Sequence, residues 1–260
     1  MKRDETATNA PALRTDGLTR RFGGLVAVAG VSLECRDGEL HAVIGPNGAG
    51  KTTLVNLLSG ELAPSAGRIE LYGEDVTGLP PEQLARRGVG RSYQKTNIFL
   101  AFSAFENCRL AAQARLAGLP HLLRPAERLS GVNAAAERSL AAAGLEARAQ
   151  TSAAALSHGE QRQLEIAMTL ATGPRLLLLD EPLAGMGAEE SVRMIELIRG
   201  LRAGHAVLLV EHDMDAVFAL ADRLTVMVDG AVLASGLPSA IRANPEVRRA
   251  YLGEDVEAAT

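Results

Sequence analysis

The chain has 260 residues, 47% hydrophobic but only 3% aromatic and without Trp, and its 27 basic and 31 acidic side chains leave a net charge of -4. That length suits one large domain or two small ones around a core of Ala, Leu, Val and Ile, and the slight acidity gives no electrostatic footprint for general nucleic-acid binding. Cys35 and Cys108 are too few for a disulfide framework and lack metal-ligand spacing, and no apolar run approaches the roughly 20 residues of a bilayer span. Residues 1–12 are polar without the apolar stretch of a secretion signal, and read as a disordered lead to a chain expected in the cytoplasm. Residues 18–22, 27–28 and 31–35 alternate apolar and polar around Gly23-Gly24 and Asp37-Gly38, as antiparallel strands do, and 68–72 repeat the pattern. A buried strand is expected at 40–44, a helix at 53–58 and a short helix between about 80 and 90, bounded by Pro80-Pro81 and Gly88. From about 104 to 156 the composition shifts to Ala, Leu, Glu and Arg, the mark of a helical insert. Beyond it, strands at 175–180 and 206–210 alternate with helices at 189–202 and 213–221, predicting a parallel sheet with crossover helices. A hairpin turning at Asp229-Gly230 and a last helix around 237–243 complete the series.

Between the strand at 40–44 and the helix at 53–58 stands Gly45-Pro46-Asn47-Gly48-Ala49-Gly50-Lys51-Thr52, which fits G-x-x-x-x-G-K-[ST] at every fixed position. Strand, glycine-rich loop and helix start together make a phosphate-binding loop. Glycines let successive backbone N–H groups converge on phosphate oxygens, and the helix adds the positive end of its dipole. Lys51 is expected to reach the β- and γ-phosphates, and Thr52 to place its hydroxyl on Mg²⁺; the nucleotide contact is assigned to Gly45 through Thr53.

The run Leu176-Leu177-Leu178-Leu179-Asp180-Glu181 is an apolar strand ending in two acids. Asp180 is placed to hold Mg²⁺ through water, and Glu181, one residue on, to polarise a water for attack on the γ-phosphorus. Two further polar residues lie where a γ-phosphate could use them. His212, after the strand at 206–210, could donate a hydrogen bond to that phosphate, and the Gln94 amide could serve Mg²⁺ or the attacking water. Taken singly, a His at a strand end is more often a surface or capping residue and Gln94 is uninformative, so for either one alone the plain reading wins.

Phosphate loop, Gln94, Leu156-Ser157-His158-Gly159-Glu160-Gln161, the Asp180-Glu181 strand and His212 occur in the order found in ATP-binding cassette (ABC) ATPases, and the chain resembles that family over about residues 13–254. The resemblance implies an α/β P-loop NTPase with a parallel-sheet core, an N-terminal antiparallel β subdomain and an inserted α-helical subdomain, followed by a tail at 255–260. It implies ATP with Mg²⁺, Phe22 as the aromatic that stacks adenine (a core Phe being the alternative), and Ser157 and Gly159 at a helix start meeting the γ-phosphate held by an opposite subunit. The implied partners are an identical or related second cassette, membrane permease subunits and, through them, a periplasmic solute-binding protein, with the cassette on the cytoplasmic face of the membrane. His158 and Glu160 stand where many members have Gly and Gln, and Gly187 where an Asp often ends the segment after Pro182. Those departures, with Ala184-Gly185-Met186 and the ending from Ala243-Asn244-Pro245 to Leu252-Gly253, resemble the ATPase subunits of branched-chain amino acid importers. Urea and short-chain amide importers share much of this, lipopolysaccharide exporters less, and a soluble ABC ATPase remains the alternative outside transport. Residues 97–102 carry two of the few aromatics and are expected in part at a groove for a permease loop, with burial as the alternative.

Overall fold

The computed structural model describes residues 10–93, 97–116, 125 and 128–252; Gln94 lies outside the described residues. The chain divides into two compact units, one of Met1–Leu84 with Arg202–Thr260 and one of Ala85–Leu201.

In the first unit, β1 (Leu13–Phe22) and β2 (Leu25–Cys35) form an antiparallel hairpin with Leu13 opposite Cys35 and Phe22 opposite Leu25. Inward Leu13, Thr15 and Leu18 are buried while Arg14 faces outward, the alternation of a one-sided sheet. Thr15 is tolerated inside because its hydroxyl donates to the Val31 carbonyl at 3.1 Å and accepts from the Leu33 N–H at 3.0 Å. The lead expected over 1–12 does not extend to Ala12. That residue is fully buried, and its carbonyl accepts from the Tyr72 N–H at 3.1 Å, which ties it to the end of β4 (Ala66–Leu71). The sheet order is β2-β1-β4-β5, with β5 (Glu74–Asp75) at the edge.

The second sheet contribution of this unit runs β10-β9-β3-β8. Its members are β3 (Leu40–Ile44), β8 (Ala206–Val210), β9 (Arg223–Val228) and β10 (Ala231–Gly236). Every residue of β3 and β8 is buried, as befits strands covered on both faces. β3 is parallel to both neighbours, whereas β9 and β10 form the hairpin turning at Asp229-Gly230. Helix α1 (Lys51–Leu58) turns Leu54, Val55, Leu57 and Leu58 inward. A short α2 (Pro81–Arg86) follows β5, and α7 (Met214–Leu220), α8 (Pro238–Ala243) and α9 (Pro245–Leu252) complete the C-terminal part.

The second unit holds β6 (Val89–Arg91), paired in parallel with β7 (Leu176–Asp180), and the helices α3 (Ala104–Leu116), α4 (Ser130–Ala142), α5 (His158–Ala171) and α6 (Ala188–Leu201). The Ala-rich stretch forms α3 and α4, whose core includes Ala104, Ala112, Val132, Ala136 and Leu140 and is shared with Leu164, Ala167 and Ala171 of α5. The small side chains let these helices approach closely while Leu fills what remains. Both cysteines are free and buried, one in each unit; burial pushes the Cys108 thiol up to about 12 and raises that of Cys35 as well, so neither is poised as a nucleophile. Among the described residues no helix is long and apolar enough to cross a membrane.

Candidate functional site

The phosphate loop starts where β3 ends. Ile44 aligns with Val226 in parallel register, which brings Gly45 against the Met227 carbonyl, where a Cβ would collide with the oxygen. Gly50 has φ +94°, and a Cβ there would strike the Ala27 carbonyl, so both its conformation and its surroundings require glycine. The Gly230 N–H donates to the Ala49 carbonyl at 3.2 Å, and the Ala29 N–H to the Gly230 carbonyl at 2.8 Å, tying the loop to the β9–β10 turn and to β2. Helix α1 begins with no side-chain cap and no acid in its first turn, leaving its first N–H groups for a ligand.

Lys51 is only 7% exposed: its Nζ donates to the Gly45 carbonyl at 2.6 Å and to that of Pro46 at 3.1 Å, folding the ammonium back over the loop. Pro46, Asn47 and Gly48 form an exposed rim, Ala49 is buried, Thr52 is exposed and Thr53 half-buried. A glycine cradle, an uncapped helix start and a nearby ammonium fit a phosphate chain.

Val43 aligns with Val210, so the chain leaving β8 emerges beside this loop. It reads Glu211-His212-Asp213. Glu211 is fully buried and accepts the His212 N–H at 3.1 Å, and Asp213 caps α7 by accepting the Ala216 N–H at 3.0 Å. Those anchors fix the backbone and leave the imidazole outward, its side chain 59% exposed. Phe22 is 44% exposed with the Arg20 guanidinium 4.6 Å from its ring centroid, which makes it a surface ring and removes the core alternative.

In the second unit Arg91 aligns with Leu178, so the chain leaving β6 runs beside the end of β7. Asp180 is 1% exposed, and Arg91 Nη2 lies 3.5 Å from its Oδ2. Glu181 has φ +50° immediately before Pro182. Proline steers its predecessor toward extended backbone, and a left-handed non-glycine residue costs about 1–3 kcal/mol, so the turn after β7 is strained at the acid proposed for chemistry. Farther along, Ser157 caps α5 and Gly159 is buried in its first turn. Glu190 Oε1 accepts from the Ser157 hydroxyl at 3.0 Å and from the Gly159 N–H at 3.2 Å.

Residues 28–184 match the ABC transporter family, and residues 231–257 match the branched-chain amino acid ATP-binding cassette transporter family. The chain belongs to the ABC ATPases. It is 46% identical over 254 residues to the high-affinity branched-chain amino acid transport ATP-binding protein BraF of Pseudomonas aeruginosa, covering 94% of this chain and 98% of BraF. To LivG of Escherichia coli K12, which carries the same description, it is 43% identical over 251 residues, with 94% of this chain and 98% of LivG covered. Among solved structures, the ADP conformation of MJ1267, an ATP-binding cassette of an ABC transporter, matches with a TM-score of 0.83 and 28% identity, covering 95% of this chain and all of that one. The cassette is thus a nucleotide-binding ATPase of the P-loop type, with the antiparallel β and helical parts that such cassettes carry.

The departures at the cassette's signature have physical roles. Glu160 closes a capping box: its Oε2 accepts the Ser157 N–H at 2.9 Å while its own N–H donates to Ser157 Oγ at 3.2 Å, and Arg148 Nε donates to Oε1 at 2.9 Å. His158 is exposed at the first helical position, and Gly187 precedes the start of α6.

Three residues of this ABC ATPase have roles that were not legible in the sequence. One is Glu190, an ordinary first-turn acid until the fold brings it to α5. The others are Arg162 and Glu165, whose signal was a pair of opposite charges sharing the buried side of α5 with Thr169. The Tyr93 N–H donates to Glu165 Oε1 at 2.8 Å, Arg162 Nη1 donates to the Tyr93 carbonyl at 2.8 Å, and the two side chains meet at 3.4 Å. Burial foremost pushes the Glu165 carboxyl up, and the Tyr93 N–H and Arg162 offset part of that. Glu165→Ala takes this counterion from a buried guanidinium and the acceptor from a backbone N–H. The expected loss is about 3–5 kcal/mol of stability, read as a melting temperature lower by about 6 °C or more. Glu165→Gln, which keeps the acceptor, is expected to lose about half as much.

Proposed function

We propose that this chain is the ATP-hydrolysing subunit of an importer for branched-chain amino acids. The observation that carries the solute is the match of residues 231–257 to the family of that name, which lies outside the general cassette match and agrees with the names of BraF and LivG. Gly45 through Thr53 hold the phosphates of ATP, Lys51 the β- and γ-phosphates, and Phe22 stacks on adenine. Thr52, Asp180 and Gln94 hold Mg²⁺, which when bound neutralises phosphate charge. The donor set suits that ion: a hydroxyl, a carboxylate and an amide carbonyl are hard oxygen ligands, and Mg²⁺ is commonly held by few protein groups together with phosphates.

Glu181 takes up proton density from the attacking water, and His212 donates to the γ-phosphate as charge develops there. Two cassettes, identical or related, sandwich ATP head to tail, so that Ser157 and Gly159 of each complete the site of the other. Closing and opening of the sandwich, on the cytoplasmic face of the membrane, drives the permease subunits between access states, and a periplasmic binding protein delivers the solute.

A surface suited to the permease contact is the Phe99–Phe102 pair, stacked with ring centroids 5.5 Å apart and 51% and 42% exposed, so burial does not account for these rings. Asn107, itself fully buried, fixes the loop by accepting the Phe99 N–H at 2.8 Å and donating to the Phe99 and Ser103 carbonyls at 3.1 and 2.9 Å. Phe99→Ala is expected to keep the isolated cassette's ATPase rate, to cost less than about 1 kcal/mol, and to abolish co-purification with the permease subunits.

The reading as a whole is tested by reconstituting the cassette with its permease subunits and binding protein in vesicles. ATP-dependent uptake of leucine is the expected result. Uptake of urea instead, or no association with any permease, overturns it.

A further inference from the structure

We propose that Glu190 is the resting occupant of the signature's anion site, holding the place that the γ-phosphate of ATP on the opposite subunit takes when two cassettes pair. The inference rests on the head-to-tail pairing proposed above, and it makes pairing an exchange of one anion for another.

The hydrogen-bond inventory forces the exchange. Ser157 has a single hydroxyl proton, and that proton is given to Glu190 Oε1 at 3.0 Å, while its oxygen already accepts the Glu160 N–H at 3.2 Å. Gly159 likewise has one N–H, and it too points to Glu190 Oε1, at 3.2 Å. A phosphate oxygen cannot receive either proton while the carboxylate keeps it. Space is also shared: a Cβ on Gly159 would come within 2.6 Å of the Glu190 Cδ, so the glycine that lets a phosphate approach the helix start is, at rest, filled by this carboxylate.

Glu190 stays an anion under ordinary conditions. The Ser157 hydroxyl foremost, with the Gly159 and Gly187 N–H groups and nearby His158, holds its carboxyl below the usual range. A carboxylate and a triphosphate at one helix start repel each other, so Glu190 has to leave before the sandwich can close. Its position in the first turn of α6, at the end of the segment that begins with Glu181, means that its release also loosens the restraint on residues 182–187. The contact therefore keeps unpaired subunits apart at low ATP and sets the ATP concentration at which they pair.

The test uses Glu181→Gln protein, in which pairing should persist, and follows molecular size against ATP concentration with Mg²⁺ present. Adding Glu190→Ala is expected to lower the ATP concentration of half-maximal pairing by about tenfold, the loss of one competing charge-assisted contact. Adding Glu190→Gln, which can still accept hydrogen bonds but carries no charge, is expected to lower it by a smaller factor. Binding of a fluorescent ATP analogue to the unpaired subunits should be unchanged in both, which shows that each variant is folded at the phosphate loop. An unchanged or raised midpoint in both variants overturns the role of Glu190 and leaves the pairing intact. If the Glu181→Gln protein binds ATP yet never pairs, pairing between identical subunits fails and the inference for the self-pair with it, leaving a related cassette as the partner.

Discussion

Lys51→Ala is expected to leave a folded protein whose ATP turnover falls at least about a thousandfold, because a charge aimed at the transferring phosphoryl group is worth several kcal/mol in the transition state. The substitution has a second effect that the loop pattern did not foretell. A glycine-rich loop looks exposed in sequence, so removing its lysine should hardly disturb the fold. In the structure the ammonium is nearly buried and donates to the Gly45 and Pro46 carbonyls. Losing a charged donor to those carbonyls costs about 2 kcal/mol, or about 4–8 °C in melting temperature for a chain of this size. Saturating ATP will not restore the difference, since the variant binds it weakly. ATPase assay, nucleotide titration and calorimetry on the same preparation separate the two effects. Turnover near the native rate removes the phosphate-loop assignment.

Glu181→Gln should uncouple the cycle at its chemical step. The amide keeps the size and hydrogen bonding of the carboxylate but is no base, and loss of general-base assistance costs about 10²–10⁴ in rate. ATP should still bind, and paired subunits should accumulate because the γ-phosphate that holds them is not removed. Adding Ser157→Arg, which places a bulky cation in the signature site, should return the protein to monomer with ATP present. A Glu181→Gln protein that binds ATP yet stays monomeric argues for a different cassette as its natural partner, and one that hydrolyses at the native rate removes Glu181 from the mechanism. Backbone geometry supplies a further control. At φ +50° before Pro182, Glu181→Gly relieves a strained conformation that Glu181→Gln retains, so the glycine variant should lose activity while gaining about 1 kcal/mol of stability.

The parts of the site that were legible in the sequence are those whose chemistry is local. Gly45 to Thr52 declare themselves because glycine, lysine and hydroxyl must follow one another at fixed spacing between a strand and a helix, and Asp180-Glu181 because an apolar run ends abruptly in two acids. The main strands and helices were legible for the same reason: their patterning is contained within each segment. What escaped was structure made by distant pairing. β6 is only Val89-Gly90-Arg91, too short to alternate, and exists as a strand because β7 pairs with it. The start of β1 at Leu13 was hidden by Gly17, whose φ of +56° accommodates a shift in register that breaks the alternation. α9 was concealed by Pro245, which ends one pattern but is well suited to the first position of a new helix, where Asn244 Oδ1 accepts the Glu246 N–H at 2.8 Å. Glu160 could be noted only as a departure, and its capping box appears once α5 has a definite first residue.

The placing of β3 also bears on how the molecule comes to exist. A ribosome delivers Gly45 to Thr52 early, but β3 takes its partners from β8 and β9: Leu40 has to wait for Val207 and Ile44 for Val226. Gly45 is likewise shaped by Met227 and the loop by Gly230, both late in synthesis. The β1–β2 hairpin and the α3–α4–α5 core depend on nearer partners and can form first. The nascent protein therefore carries its phosphate-loop sequence without a phosphate site until at least residues 206–230 have been made. Nucleotide affinity arrives only after β8, β9 and the turn at Gly230 have been made and have joined β3.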